Sequence, residues 1–490
     1  MALSWRRVAG ATGVLGLVTL AMLAASADLS RNAAGQAAAA PKYATAVIQG
    51  VPHVRQLPDF CGEACAEMYL AKLGQRIDQR AVFDASGLDP ALGRGCYTRE
   101  LDAALKKLGF DTGDVFTTID ARRADAELER LWSALHKDLA VGTPSIICTR
   151  YDNRPNTTEH FRLILGYDAK TDEVFYHEPA EDGGRYRRMK RTAMLDLWPL
   201  KYGEREWTVI RMRLAAEKIK PPAATKAKFT PADYAQHILA LMKKLPSEDF
   251  HVVIEPPFVV VGDEDVATLR RRARDTIRWS VEKLKKDYFT ADPAHILDIW
   301  LFANKDSYET HATQLFGGKP TTPYGYYSAQ HKALVMNIST GGGTLVHEIV
   351  HPLMATNFPA CPSWFNEGLA SLYEQCGERD GHIRGEVNWR LAGLQRTIKD
   401  ERLPTFETLC GTTTQEFYDG EHAASNYGQA RYLCYYLQER SQLVDFYHAF
   451  RKNAAADPTG YETLKKTLGE RDMAAFQQRW QKYVGELKYR

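Results

Sequence analysis

The sequence predicts an α+β protein built from two unlike domains, and three observations carry that reading. From about Ala44 to Leu214, helical stripes are mixed with β-hairpin patterns. The run Ala215 to Lys228 (AAEKIKPPAATKAK) then breaks both periods with two prolines, alanines and lysines, as a linker does. Beyond Phe229 a helix and apolar strands around Phe258–Val261 and Ile296–Trp300 precede a long helical stretch, so the second domain (229–490) is expected to be mainly helical with a small sheet. The chain has 490 residues, 44% of them hydrophobic, enough for separate cores. Its net charge of +2 gives no global reason to expect nucleic acid as a partner.

The first 43 residues are expected to stay outside the fold. Arg6 and Arg7 precede an apolar run from Ala9 to Ala25, closed by Ala25-Ser26-Ala27. A basic start, an apolar middle and a small-x-small end are the marks of a signal peptide over residues 1–27. Such a segment implies export to the periplasm or the exterior, with membrane anchoring if it stays uncleaved. The alanine-rich run over 28–43 reads as a tether. No later segment is long and apolar enough to span a bilayer. The eight cysteines show no regular spacing, so no specific disulfide pair is predicted.

The first domain (44–214) carries a cysteine constellation. Cys61, Cys65, Met68 and Leu73 form a helical stripe that ends at Gly74, with Asp59 as a possible N-cap. Cys61 therefore falls in a first turn, where the helix dipole favours thiolate. Gln56, five residues upstream, could donate to an oxyanion beside the sulfur. The hairpin HFRLILGYDAKTDEVFYHEP supplies a base: a turn centred on Ala169 would set His160 directly across from Glu178, with Cβ atoms about 5 Å apart. Glu178 would orient the imidazole while its other nitrogen serves Cys61. A one-residue slip would separate the two faces.

The second domain carries a metal pattern. In GGGTLVHEIVHPLMATNFPACPSWFNEGLASLY, His347 and His351 are four residues apart and share one face of a helix. Glu348 is set to act on water, and Glu367, on a second helix opening at Pro362-Ser363, completes a three-ligand set for Zn2+. Pro352 deletes the amide bond to Glu348 and is expected to kink or end the first helix, against a penalty of about 3 kcal/mol. Gly341-Gly342-Gly343 reads as a hinge, and the strand Ala333 to Ile338 as an edge on which an extended substrate could add.

Two resemblances sharpen these readings. Residues from about 51 to 205 resemble the papain-like cysteine peptidases that process double-glycine leaders of bacteriocins, through Gln56, Cys61-Gly62, His160 with Leu165-Gly166-Tyr167, and Glu178-Pro179. The resemblance implies Gln56 as oxyanion residue, Cys61 as nucleophile, His160 as base and Glu178 as orienter, where the family usually has Asp or Asn. Residues from about 320 to 440 resemble the gluzincin metallopeptidases through HEIVH and WFNEGLA. In the aminopeptidase branch a tyrosine heads a helix of the form Tyr-x8-Tyr-Leu and stabilises the transition state; Tyr427 matches that place. No Gly-x-Met-Glu-Asn segment captures a free amino terminus, so an endopeptidase is implied. The expected protein is thus an exported two-site peptidase acting on peptides or proteins. The alternatives are a cysteine domain kept as a binding or inhibitory module, or one that cleaves amides in cell-wall peptides.

Overall fold

Alternation along the strands explains both sheets of the structure, a computed structural model that describes residues 42–222, 227–420 and 422–489. The expected signal peptide and all but the last two residues of the expected tether lie outside the described residues. In the N-terminal half an antiparallel sheet runs in the order Phe116–Asp120, Glu206–Arg213, Ser145–Arg150, Glu159–Asp168, Glu173–His177 and Arg187–Lys190, with Ala46–Val47 pairing to the far end of Glu159–Asp168. Phe161, Leu163 and Leu165 join Ile146, Cys148, Ile210 and Met212 in one core with the helix Cys61–Lys72. The residues between them, His160 and Arg162, belong to the other side of their strand. The basic edge strand is answered by acids, Arg188 and Lys190 by Glu173 and Arg187 by Glu181, as a charged, non-aggregating edge requires.

The C-terminal half holds a mixed sheet in the order His251–Glu255, Phe258–Gly262, Leu297–Phe302, Ala333–Asn337 and Gly325–Ser328, with its three central strands parallel. Its apolar runs are continuous because both faces are covered. Phe258, Val260, Ile299, Leu301, Leu334 and Met336 face the helix Gly342–Asn357 and the helical tail. Val259, Val261, Trp300, Phe302 and Val335 face the helix Pro231–Met242. Ala333–Asn337 is therefore an inner strand and not the expected edge, since Gly325–Ser328 pairs along its outer side.

The helix Pro231–Met242 opens on a capping box made by Thr230 and Asp233 and joins the two halves. Its Ala232 and Ala235 belong to the N-terminal core, while Tyr234, Ile238 and Leu241 belong to the C-terminal one. Asp84 accepts from the Ala232 amide at 2.8 Å, and Arg80 pairs with Asp233 at 3.0 Å. Residues 45–490 consequently form one compact unit. The start of the expected linker is also tied down. Ala215–Ala216 pairs with Phe110–Asp111, and the Lys220 amide donates to Leu108 at 2.9 Å. Gly109 permits this approach, with φ at +100° and only 2.0 Å between an imagined Cβ and the Lys218 carbonyl oxygen.

Of the kink or end expected at Pro352, the end does not occur: the helix Gly342–Asn357 runs on past its second histidine. Leu353 and Met354 are buried, and burial of two such side chains is worth about 3–6 kcal/mol, enough to offset the proline. Asn357 clamps the last turn by accepting from the Thr290 and Ala291 amides, both at 2.9 Å, and donating to Leu353 and Ala291 carbonyls. Of the glycines before the motif, Gly341 stands ahead of the helix at φ +106°, while Gly342 and Gly343 are helical, and a Cβ on Gly343 would stand 1.9 Å from the Glu374 carbonyl oxygen. Gly343→Ala is therefore expected to lower unfolding free energy by about 1–3 kcal/mol despite alanine's better helix propensity, whereas Gly393→Ala, which meets nothing within 4 Å, should be neutral or gain up to about 1 kcal/mol. Urea unfolding of both variants checks the contrast.

Candidate functional site

The C-terminal cleft has a volume of about 1070 Å³ and is lined by His347, Glu348, His351 and Glu367, together with Tyr418 and Tyr427. His347, Glu348 and His351 come from Gly342–Asn357, and Glu367 from Ser363–Leu372, the two helices the sequence predicts. The two imidazoles stand nearly perpendicular with centroids 4.9 Å apart. One donor atom from each of His347, His351 and Glu367 lies within 4.8 Å of the others. His347 Nε2 is 3.3 Å from Glu367 Oε2, yet the pair lacks hydrogen-bond direction, and Oε2 is buried with no hydrogen-bond partner. Atoms that converge on one point without bonding to each other suit a shared cation. The imidazole, imidazole and carboxylate set suits zinc.

Other groups stand behind the two rings. His351 Nδ1 lies 3.2 Å from Asn366 Oδ1, whereas His347 Nδ1, 3.3 Å from Glu374 Oε1, is buried without a hydrogen-bond partner. Glu374 is gripped at both oxygens by Arg390, at 2.8 and 2.6 Å, and receives Asn388 Nδ2 at 3.1 Å. Burial would raise the Glu367 carboxyl, but the His351 and His347 imidazoles and the Tyr418 hydroxyl bring it down to about 2. Glu348 is buried, makes no hydrogen bond among the described residues, and has Oε2 3.9 Å from His351 Nε2. Tyr427 stacks its ring under the Arg390 guanidinium at 4.9 Å and against Phe417 at 5.2 Å. Burial, then the Glu367 charge, hold its phenol well above the ordinary value, so it remains a donor.

In the N-terminal half Cys61 is the first residue of Cys61–Lys72, as expected, but Asp59 does not cap it. Asp59 has φ at +64° and accepts instead from the Gly95 amide at 2.8 Å. Burial opposes the thiolate expected from the helix dipole. Burial pushes the Cys61 thiol up to about 12; the Phe161 amide opposes this, and the charges of Glu63 and Asp59 add to it. Among the described residues no hydrogen bond joins Cys61 Sγ to His160. His160 Nε2 does meet Glu178 Oε1, and Arg162 Nε donates to Glu178 Oε2 at 2.8 Å. Burial alone would raise the Glu178 carboxyl, but the His160 hydrogen bond and the charges of His160 and Arg162 hold it below the usual range.

The strand register differs from the expected one. The turn centres between Lys170 and Thr171, with Asp168 opposite Glu173, and a bulge between Ile164 and Gly166 shifts the pairing so that Leu163 faces His177. Continued by one residue, this sets Glu178 opposite Arg162, and Glu178 reaches His160 diagonally. Without the bulge Glu178 would oppose Leu163, on the apolar face. Gln56 is brought to the same place by its backbone, its amide donating to Pro179 at 2.9 Å; its side-chain oxygen is buried without a partner.

Sequence reasoning missed five residues. Arg162 lies one period of the strand beyond His160, and Glu374 two helical turns beyond Glu367, so both left a spacing signal. Asn366 sat inside the motif itself. Arg390 and Tyr418 left none.

In comparison with known proteins, the Peptidase_C39 like family matches residues 48–204, about a third of the chain. That segment is therefore peptidase-like, of the papain-like cysteine type, and a peptide or protein is the substrate class that goes with it. No curated protein matches the chain. Alkylation of Cys61 by iodoacetamide is expected to climb with pH through the alkaline range, as a thiol raised to about 12 requires. A rate already on its plateau at pH 7 would mean that a thiolate–imidazolium pair forms instead.

Proposed function

We propose that the C-terminal half is a zinc-dependent endopeptidase, with His347, His351 and Glu367 as metal ligands, and that the N-terminal half is a cysteine peptidase. The observation that carries the zinc reading is the buried, partnerless Glu367 Oε2 beside His347 Nε2. The resemblance to the gluzincins through HEIVH and NEG supports it. Bound there, zinc would act as a Lewis acid toward the scissile carbonyl and lower the pKa of water. Glu348, which makes no hydrogen bond among the described residues, takes the proton of the attacking water and delivers it to the leaving amine. The Tyr427 hydroxyl donates to the oxyanion that forms. Glu374, fixed by Arg390, places its charge 3.3 Å behind the His347 ring. An extended peptide pairs with the edge strand Gly325–Ser328, whose Gly325, Tyr326 and Tyr327 line the cleft, in place of the inner strand Ala333–Asn337.

At the N-terminal site Cys61 attacks an acyl carbon after His160 takes the thiol proton, and water resolves the thioester. Glu178 orients the imidazole, and Gln56 supplies an oxyanion donor. A second reading has this half as a binding or inhibitory module, favoured by the raised Cys61 thiol and the missing bond to His160. A thiol-directed peptide electrophile separates the two: labelling of Cys61 that disappears in His160→Ala supports catalysis, and no labelling supports the module. The signal sequence adds export to the proposal.

Glu348→Gln is expected to keep one zinc per chain and to cut casein cleavage by about 100-fold or more, as loss of a general base does. Tyr427→Phe should retain zinc and lose about 10–1000-fold in kcat. Full chelator-sensitive activity in Glu348→Gln would sink the assignment; metal analysis and cleavage assays on the same samples decide it.

A further inference from the structure

One short contact at the cleft serves neither the general base nor the oxyanion donor. The Tyr418 hydroxyl donates to Glu367 Oε1 at 2.5 Å, while the other oxygen of that carboxylate, Oε2, is the partnerless one beside His347 Nε2. We propose that Tyr418 is a positioning residue that occupies Glu367 Oε1 and so restricts Glu367 to binding the metal through Oε2 alone. This rests on the zinc reading above.

The backbone that carries Tyr418 is held rather than loose. Phe417 is fully buried, and Asn426 Nδ2 donates to the Phe417 and Glu416 carbonyls at 3.1 and 3.4 Å. The short helix Thr414–Phe417 opens on a capping box made by Thr413 and Glu416. Ser363 Oγ, at the head of the Glu367 helix, reaches Thr414 at 3.0 Å, so the two segments that bring Tyr418 and Glu367 together are tied to one another. The residue as a whole is 45% exposed, so its ordering comes from the backbone and from the carboxylate.

The consequence is chemical. A carboxylate with both oxygens free can give a metal two donors, which fills a position a hydrolytic zinc site must leave open for water or substrate. With Oε1 bonded to a phenol, one donor remains. The same contact divides the labour of two neighbouring tyrosines, whose rings are 6.2 Å apart. Tyr418 donates to Glu367 Oε1, while Tyr427, braced by Arg390 and Phe417, feels the Glu367 charge but is the one set to meet the substrate.

The test uses the full chain with zinc and with cobalt(II). In competition with a chromogenic chelator, Tyr418→Phe is expected to bind zinc about 10–100-fold more weakly than the unaltered protein, and Tyr427→Phe within about twofold. The visible cobalt spectrum of Tyr418→Phe should lose intensity, as it does when coordination number rises, and that of Tyr427→Phe should not change. In a Glu367→Ala background, which leaves no oxygen for the phenol, the Tyr418→Phe substitution should have no further effect on metal affinity. Unchanged zinc affinity and cobalt spectrum in Tyr418→Phe would overturn the role given to Tyr418. If the unaltered protein binds no zinc, or His347→Ala binds it as well, the zinc reading itself falls and the two failures are told apart.

Discussion

Buried charge is the constraint on which the C-terminal half depends. Glu348, Glu367 and Glu374 are all buried around one cleft, and carboxylates out of water require cations or donors close by. Arg390 answers Glu374 in full, and Tyr418 answers one oxygen of Glu367. The other oxygen of Glu367 is left without a partner, and it and the Glu348 carboxylate face two imidazoles. The folded chain has thus concentrated negative charge in this cleft. Gly343, flush against Glu374, lets the segments that carry these groups approach closely.

The N-terminal half solves a related problem with protein groups alone. Glu178 is one methylene longer than the residue usual at its place in the resembling family, and a permanent cation shares its charge. Arg162 takes Oε2 while His160 takes Oε1, and the remaining Arg162 donors reach Thr149 and the Arg150 and Tyr151 carbonyls. The network is closed within the sheet, and Cys61 stays outside it with a raised thiol. The two sites therefore differ in kind: one has its donors assembled around a gap, and the other has its polar groups paired among themselves.

The helix Pro231–Met242 makes the halves one body. Gln236 also donates to the Pro58 carbonyl at 2.8 Å, three residues before Cys61, so the loop ahead of the cysteine is held by a side chain from beyond the linker. The small face of Ala232 and Ala235 lets this helix lie against the first core, and the larger Tyr234, Ile238 and Leu241 fill the second. A helix apolar on two sides is one that two layers share.

The sequence by itself determined the features that local spacing dictates. The i, i+4 histidines, the NEG glutamate at the head of a new helix, Cys61 in a first turn and the apolar strands all arise from periods of 3.6 and 2, set by backbone geometry within a few residues. The N-terminal resemblance was legible for the same reason, as its motif residues stand at fixed places on such elements. Only the tertiary structure decided the rest. A bulge that no composition marks shifted the strand register and placed Arg162 opposite Glu178. Burial of Leu353 and Met354 outweighed the proline, and desolvation with two nearby carboxylates outweighed the helix dipole at Cys61. Tyr418, distant in sequence from Glu367 and without a motif of its own, entered the site because a buried Phe417 and the Asn426 side chain set its backbone there. Each of these is a competition between a local preference and long-range burial or charge, and its outcome depends on neighbours that only folding brings together.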